Sequence, residues 1–277
     1  MLYICATPIG NLKDISNRVI STLNEVDLIA AEDTRNSIKL LNHFDIKTKM
    51  TSYHEFNKYD KAAELIEKMK AGIDVALITD AGTPAISDPG EVLVKMCHEA
   101  GVPVTSLPGP CACITALTLS GLSTRRFSFE AFLPSDKKMR REILEEIKND
   151  TRTLIIYEAP HHLNSTLKDL YEYLGNRKIT VCKELTKKFE SVRPTYLENA
   201  ITYYKENEPK GEYVLVIEGR DREDIIKEKE AKWSEMSVDE HMKIYTDKGI
   251  DKKEAMKMVA KDRGVSKRDI YEIVNGK

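Results

Sequence analysis

The stretch DVALITDAGTPAISDPGE, residues 74–91, decides the fold of this chain. Asp74–Thr79 is mostly apolar and predicts a strand, which runs into the turn-forming segment Asp80–Pro84. Asp88-Pro89-Gly90-Glu91 then predicts the start of a helix. Its aspartate can cap free N–H groups, its proline suits the first helical position, and its glutamate can complete a capping box. A strand, a turn and a capped helix in this order are the repeating unit of a parallel α/β sheet.

The same unit recurs on both sides of this stretch. Further strands are predicted at Leu2–Thr7, Asp27–Ala31, Met50–Tyr53 and Val102–Leu107. Amphipathic helices are predicted at Ser16–Val26 and Asp60–Lys70. Because strands and helices alternate from the first residue, we expect a largely parallel sheet flanked by helices.

Polar and turn-forming residues cluster where these strands end, at Pro8–Asn11, Glu32–Arg35, His54-Glu55, Asp80–Gly90 and Pro108–Ala112. Ligands of open parallel sheets lie beyond the carboxyl ends of the strands, where such loops converge. The pattern therefore predicts a small-molecule site at this edge. For any single loop, a tight turn that serves only the fold is an equally good interpretation.

The second half of the chain predicts another α/β unit and then a helical tail. Its strands are expected at Phe127–Leu133, Thr153–Tyr157, Ile179–Cys182 and Tyr213–Ile217, with helices at Lys137–Lys148 and Leu163–Leu174. Three short helices should follow, with cap pairs and glycine stops at Ser237/Glu240, Gly249, Asp251/Glu254, Gly264 and Ser266/Asp269. We therefore expect α/β domains over residues 1–121 and 122–222 and a helical appendage over 223–277.

The composition is that of an ordinary globular protein, with 41% hydrophobic and 32% charged residues and a net charge of −2. The chain therefore has no basic excess of the kind typical of nucleic-acid-binding proteins, and any contact with RNA would have to come from a local basic patch or from a partner that presents the RNA. No apolar run reaches the roughly 18 residues of a membrane span, and the N-terminus lacks a signal-peptide pattern. We expect a cytoplasmic protein with no membrane contact.

The five cysteines are scattered, which indicates reduced thiols. Cys111 and Cys113 lack the spacing of a zinc site, and we expect no bound metal. Two nucleotide-binding motifs are also missing from the sequence: no Gly-x-Gly-x-x-Gly follows the first strand, and no phosphate-binding Gly-Lys-Ser/Thr loop occurs. Dinucleotide oxidoreductases and P-loop enzymes are thus disfavoured, and the loops suit a flat ligand without a pyrophosphate.

A series of blocks in fixed order covers residues 1–220: Thr7–Asn11, Glu32–Arg35, Ile78–Pro84, Ser87–Gly90, Pro108–Ala112, Phe132–Pro134, Tyr157–His161, Lys183–Lys187 and Gly211–Tyr213. In this order the blocks resemble the ribosomal RNA 2′-O-ribose methyltransferase subfamily of the tetrapyrrole methylases. Two residues depart from the pattern. Cys111 stands where a serine is expected, and Lys183 where an arginine is commoner, which puts a bidentate role for that residue in doubt.

The resemblance implies an α/β, two-domain tetrapyrrole methylase fold with a small helical C-terminal appendage, assembled as a homodimer. It implies S-adenosyl-L-methionine bound, folded up, between the domains, and methyl transfer to a cytidine 2′-hydroxyl in the decoding region of small-subunit (16S) rRNA. Carried onto this chain, the cofactor-binding residues would be Ile9, Gly10, Asp80, Gly82, Thr83, Ile86, Cys111, Ala112 and Leu185.

A ribose hydroxyl is a poor nucleophile, so the site must position it and help remove its proton. Strand-end groups that can act as the base are Asp33, His54, Glu55 and Glu184. Arg35 and Lys183 can hold a flanking RNA phosphate. A structural hydrogen bond within its loop explains His54 equally well, and Glu32 can be an ordinary ion-pair partner of Arg35.

Basic residues form two modest patches. Lys137, Lys138, Arg140 and Arg141 form the clearer one, which suits RNA phosphates, although an exposed helix face that pairs with nearby glutamates explains it as well. The second lies in residues 243–277, where ten Lys or Arg face six Asp or Glu. Since these patches are small, we expect the assembled small ribosomal subunit, and not free RNA, as the partner. The rival interpretations are methylation of a tetrapyrrole or another small molecule, and a non-catalytic protein that senses S-adenosylmethionine or docks on ribosomes.

Overall fold

The computed structural model describes residues 1–276, except for the side chains of residues 229 and 234. The first half of the chain forms a five-stranded sheet in the order β3-β2-β4-β1-β5. Its strands are β1 (Leu2–Cys5), β2 (Leu28–Ala31), β3 (Met50–Ser52), β4 (Val75–Ile78) and β5 (Val104–Leu107). All neighbouring strands are parallel, as predicted. The helices between them are α1 (Asn17–Glu25), α2 (Thr34–His43), α3 (Lys58–Lys70), α4 (Gly90–Glu99) and α5 (Ala112–Leu119).

The second sheet has the order β6-β7-β10-β8-β9. Its strands are β6 (Phe127–Phe132), β7 (Thr153–Glu158), β8 (Lys178–Lys183), β9 (Ser191–Tyr196) and β10 (Tyr213–Ile217), and its helices are α6 (Lys137–Ile147), α7 (Pro160–Leu174) and α8 (Leu197–Glu206). The expectation of a parallel sheet is wrong here. β10 inserts between β7 and β8 and runs antiparallel to both, and β9 is antiparallel to β8. The physical reason is that β8 and β9 are joined by a short loop without a helix, which returns the chain in the opposite direction.

Helix α5 joins the two sheets. It follows β5 in the chain, but it packs its buried residues Cys113, Ala116 and Leu117 against the second sheet, where they share a core with Ile155 and Val216. A buried hydrogen bond also joins the end of α5 to β8, with the Thr180 hydroxyl donating to the Ser120 carbonyl at 2.8 Å. This packing fixes the cleft between the sheets.

The tail contains four helices in the described residues, where three were predicted: α9 (Arg222–Ser234), α10 (Val238–Thr246), α11 (Lys252–Asp262) and α12 (Lys267–Val274). The capping boxes at Ser237/Glu240 and Ser266/Asp269 are confirmed. Asp251 accepts N–H bonds at the start of α11, without the reciprocal bond from Glu254. The last three helices share a small apolar core.

One tryptophan attaches α9 to this core. The Trp233 indole stacks on the fully buried His241 imidazole, with the ring centroids 4.0 Å apart and the planes within 9°. Arg263 Nε donates to His241 Nδ1 at 3.2 Å, so the imidazole proton lies on Nε2, which donates to Asp262. Asp262 also accepts a bond from the Tyr245 hydroxyl.

None of the helices in the described part of the chain is long and apolar enough to cross a membrane. Sequence patterns missed α2, β9, α8 and α9. At the helix start in residues 88–91, Asp88 does accept the N–H of Gly90 at 2.7 Å. However, Pro89 precedes the helix instead of opening it, and the capping role expected for Glu91 is not seen among the described contacts.

Candidate active site

A cavity of about 510 Å³ lies in the cleft between the two sheets. We call it the cleft cavity. Loops after β1, β2, β4 and β5 form one wall, and the facing edge of the second sheet forms the other. It is lined by Ile9, Glu32, Thr79, Asp80, Ala81, Gly82, Thr83, Ile86, Ser87, Asp88, Cys111, Ala112, Phe132, Tyr157, Glu158, Ala159, Pro160, Leu185, Glu212, Tyr213 and Val214. The predicted convergence of the strand-end loops thus occurs for four of the five loops.

The backbone of the loop after β4 is held against the end of β1. Thr7 N–H donates to the Gly82 carbonyl at 2.8 Å, and Gly82 N–H donates back to the Thr7 carbonyl at 3.1 Å. Gly82 has φ +87°, and a Cβ added there would lie 3.2 Å from Ile9 Cγ2. Glycine is therefore required both for the backbone conformation and for the close approach of the two loops.

Asp88 holds the rest of this loop in shape. Its carboxylate accepts the Ala85 N–H at 2.9 and 3.0 Å as well as the Gly90 N–H. Ala85 and Ser87 are both in the left-handed region, with φ +65° and +63°, so the loop turns sharply around the carboxylate. Burial raises the pKa of Asp88, the nearby Glu32 charge adds to the rise, and the N–H bonds oppose it.

Five carboxylates line the cleft cavity, at Glu32, Asp80, Asp88, Glu158 and Glu212. No Lys or Arg is found among the described residues that line it. Glu32 accepts a 2.5 Å hydrogen bond from the Thr79 hydroxyl, and Glu158 accepts bonds from Ala159 N–H and from the Thr166 hydroxyl. Asp80 is exposed and accepts one long bond, 3.3 Å from Asn36. The electrostatics therefore favour a ligand that carries positive charge.

The second sheet contributes aromatic side chains. Tyr157 packs edge-on between Phe129 and Phe132, with centroid distances of 4.8 and 5.6 Å. Its hydroxyl accepts the Cys113 N–H at 3.0 Å and so satisfies a free donor in the first turn of α5. Burial raises the pKa of Tyr157, which keeps the phenol protonated. Phe132 is 57% exposed and faces the cleft cavity.

The two cysteines at the start of α5 are close to each other. Their sulfur atoms are 3.3 Å apart, and all five cysteines are free thiols. A hydrogen bond from the Cys113 thiol, together with N–H groups at the start of α5, lowers the pKa of Cys111. In the described part of the chain no group of three or more His, Cys, Asp or Glu side chains could hold a metal ion.

The cofactor-binding residues expected from the sequence mostly come together. Gly10 is the exception: it lies beside the cleft cavity, where a Cβ would meet Lys187 Cγ at 2.4 Å. Gly10 thus allows the loop after β1 to pack on the segment that carries Leu185. Four more lining residues, Glu32, Ala81, Ser87 and Asp88, belong to the strand-end loops that were expected to converge. The lining residues that the strand-end rule did not select are Thr79, Phe132, Tyr157, Glu158, Ala159, Pro160, Glu212, Tyr213 and Val214.

None of the four candidate bases lines the cleft cavity among the described residues. Asp33 caps α2 and pairs with Arg35 at 2.7 Å, and hydrogen bonds from Arg35 lower the pKa of Asp33 to about 2. Glu55 pairs with Lys58 at 2.5 Å. Arg35 takes Asp33 as its partner, so the interpretation of Glu32 as the ion-pair partner of Arg35 is wrong.

The other two candidate bases sit in tight loops. His54 uses its backbone N–H in a loop bond to Asn57, while no described group bonds to its buried Nδ1. Glu184 accepts the Glu212 N–H and the Lys187 ammonium, both at 2.9 Å. Asp33 and Glu184 both lie next to lining residues, Asp33 beside Glu32 and Glu184 beside Leu185.

The basic patch divides into two kinds of residue. Lys137, Lys138 and Arg141 are exposed, and no ion pair to them is found among the described residues. Arg140 instead turns inward, where its Nε pairs with Asp169 at 2.7 Å and its Nη2 donates to the Thr166 hydroxyl. The expected pairing of the patch with nearby glutamates is thus not seen, and Arg140 serves the packing of α6 on α7.

Comparison of this chain with known proteins shows the family to which it belongs. The model of the Tetrapyrrole (Corrin/Porphyrin) Methylases matches residues 1–201. The ribosomal RNA small subunit methyltransferase I of Halalkalibacterium halodurans is 49% identical over 272 residues, 98% of this chain and 93% of that protein. The Bacillus subtilis protein of the same name is 44% identical, also over 98% and 93%. Since these alignments span nearly the whole chain, they include the helical tail.

Solved structures share the fold at low sequence identity. A diphthine synthase superposes with a TM-score of 0.60 at 17% identity, covering 79% of this chain and 89% of its own. The uroporphyrin-III-C-methyltransferase from Thermus thermophilus superposes with a TM-score of 0.56 at 18% identity, covering 78% and 93%. At such identities the likeness shows a common fold and nothing finer.

Proposed function

Because the chain belongs to the tetrapyrrole methylase family, in its branch of ribosomal RNA small subunit methyltransferases I, we propose that it uses S-adenosyl-L-methionine to methylate 16S rRNA. The finer proposal is that the acceptor is a cytidine 2′-hydroxyl. The observation that carries the proposal is the cleft cavity, an acid-lined site in a chain that matches these relatives over nearly its full length.

The cleft cavity fits this cofactor in size and chemistry. Its 510 Å³ lies within the range of small-molecule sites, and its wall combines apolar side chains with carboxylates. When bound, S-adenosylmethionine supplies a methyl group on a positively charged sulfur. Ile9, Ala112 and Leu185 offer apolar contacts for an adenosyl group. Further residues that would hold the cofactor are Gly82, Thr83, Ile86 and Cys111, while Gly10 contributes through the packing of the loop after β1.

A group that accepts the hydroxyl proton is also needed. Asp33, His54, Glu55 and Glu184 stay candidates from the sequence, but Asp33 and Glu184 are engaged in ion pairs and bonds to N–H groups. We propose that Asp80 takes the proton instead. It lines the cleft cavity, it is exposed, and its described contact is one long bond to Asn36. A carboxylate without an ion-pair partner is free to hydrogen-bond the hydroxyl of a substrate.

The RNA approaches, in this proposal, along the start of α6. The exposed cations Lys137, Lys138 and Arg141 follow closely after Phe132, whose exposed ring faces the cleft cavity. Cations of this kind bind phosphates, while an exposed aromatic ring can stack on a base. Arg35 and Lys183 are proposed to add further phosphate contacts. With a net charge of −2, the protein relies on an RNA already folded in the small subunit, so we keep that subunit as the substrate.

Three further features are proposed. Helix α5 leaves Ile114 and Leu119 exposed by 44% and 43%, which supports a homodimer formed through apolar contacts. The two separate sheets and the separate tail core support domains at residues 1–121 and 122–222 with an appendage at 223–277. A ribosomal substrate places the reaction in the cytoplasm.

The decisive experiment offers labelled S-adenosylmethionine to the protein with purified small ribosomal subunits, naked 16S rRNA or uroporphyrinogen. We expect methyl transfer to the subunits, slower transfer to naked RNA and none to uroporphyrinogen. The variant Asp80→Asn tests the proposed base and should lower kcat measured at saturating cofactor. Transfer to the tetrapyrrole alone would overturn the proposal, and equal rates on both RNA forms would remove the requirement for an assembled subunit.

A further inference from the structure

A second cavity of about 300 Å³ lies beside the cleft cavity, between the ends of β8 and β9 and helix α8. Tyr213 lines both cavities, so the two are neighbours across one residue. Lys183, Arg193 and Lys210 bring three cations into its lining. We call this cavity the flanking pocket.

The charges of the flanking pocket favour an anion. Lys183 and Arg193 have no carboxylate within ion-pair distance in the described part of the chain. Lys210 pairs with Glu208, which also lines the pocket, at 3.1 Å. Two cations are therefore left uncompensated at the mouth of a concave site, in contrast to the acidic cleft cavity on the other side of Tyr213.

The Arg193 guanidinium stacks on an aromatic ring, and no hydrogen bond from it to a described residue is found. Its Cζ lies 3.7 Å from the centroid of the Tyr203 ring, close enough for a strong cation–π contact. Stacking on the ring face leaves the N–H groups at the guanidinium edge free to donate. A fixed guanidinium with free donors suits the oxygens of a phosphate, which it can bind through two parallel bonds.

We propose that the flanking pocket binds the phosphodiester of a nucleotide next to the methylated one, through Lys183 and Arg193. This rests on the proposed function, because it assigns the second cavity to the same RNA strand. The phosphate contact fixes the strand beside the cleft cavity, while the acceptor ribose reaches past Tyr213. Because this phosphate lies away from the reacting hydroxyl, we expect its loss to weaken binding of the RNA strand, and so to raise KM.

The test compares the double variant Lys183→Ala/Arg193→Ala with the matched control Lys178→Ala. Lys178 lies at the opposite end of the same strand and lines neither cavity. With small ribosomal subunits as substrate, we expect KM to rise about tenfold for the double variant, which is the size expected for the loss of a charge-assisted hydrogen bond. The values of kcat and of the affinity for the cofactor should stay unchanged. Lys183→Arg should keep the wild-type KM. Lys183→Met alone repeats the test without disturbing the Arg193–Tyr203 stack.

A second measurement needs no methyl transfer. Binding of a fluorescent single-stranded RNA decamer should show a salt dependence that is shallower by about 0.7 per lost phosphate contact in the double variant. Wild-type-like KM and salt dependence would overturn the inference. So would binding of inorganic phosphate to the wild type without binding of the decamer, since the pocket would then serve a free anion. If the wild type methylates no RNA but the decamer result holds, the proposed function fails and the pocket stands as an RNA phosphate site.

Discussion

The two sheets build the two walls of the cleft cavity in different ways. The parallel sheet contributes loops, whose shape depends on backbone conformation at Gly82, Ala85 and Ser87. The mixed sheet contributes residues of the strands themselves. Examples are Tyr157 on β7 and Val214 on β10, which are paired neighbours on these adjacent antiparallel strands. The first wall should therefore be sensitive to changes in backbone freedom, and the second to the loss of particular side-chain contacts.

The largest effect is expected on the loop wall. Gly82→Val places a branched side chain at φ +87° and against Ile9, so it should weaken S-adenosylmethionine binding by about a hundredfold, or about 2.7 kcal/mol. Gly72→Val is the matched control, since Gly72 has φ +93° but nothing within 4 Å of an added Cβ. Both variants should lose stability, and only the first should lose affinity in calorimetry. Equal affinities for the two would show that the loop wall does not bind the cofactor.

An effect of intermediate size is expected on α6, where Arg140 is bonded inside the protein and Arg141 is exposed. Arg140→Ala removes the bonds to Asp169 and Thr166, and should lower the free energy of unfolding by about 2 kcal/mol in urea titrations. Arg141→Ala, on the exposed side, should leave stability within about 0.5 kcal/mol and instead weaken binding to the small subunit. Loss of subunit binding from Arg140→Ala at unchanged stability would reverse these assignments.

The smallest effect is expected on the side-chain wall. Tyr157→Phe keeps the ring but leaves the Cys113 N–H without its acceptor, which should cost about 1 kcal/mol of stability and weaken cofactor binding a few-fold. Tyr171→Phe is the control, because this side chain lies on the exposed face of α7, and it should change neither quantity. If Tyr157→Phe matched this control, the hydroxyl would have no part in fixing α5 at the cleft cavity.

One wall of the cleft cavity is made of loops and the other of strand residues, and this difference decided which lining residues could be predicted from the sequence. The loop wall was predictable because parallel strands end at one edge, so Ile9, Asp80 and Cys111 could be placed together from strand ends alone. The same rule missed Tyr213 and Val214. They open β10, and only the antiparallel direction of that strand, set by long-range pairing with β7 and β8, brings its first residues to the cleft.

The candidate bases were harder to predict for another reason. Sequence shows that Asp33 and Glu184 follow strands, but not which partner each carboxylate finds. Asp33 is occupied by Arg35 two residues later, and Glu184 by Lys187 and the Glu212 N–H. Such local pairing depends on how side chains are oriented in loops. The hydrophobic periodicity of a sequence predicts helices and strands but carries no information on that orientation. The same holds for Arg140, whose inward turn follows from the packing of α6 on α7.

The stack of Trp233 on His241 gives the appendage an optical signal of its own. Trp233 is the one tryptophan in the chain, so fluorescence excited at the indole reports on this contact alone. Burial is the main cause that lowers the pKa of His241, the Arg263 charge adds to it, and Asp262 opposes it. As pH falls below about 6.5, the unfolded chain takes up a proton before the folded one does, so acid loosens the appendage. A titration of indole emission would thus follow the separation of α9 from the rest of the appendage, while the two sheets contain no tryptophan and stay silent.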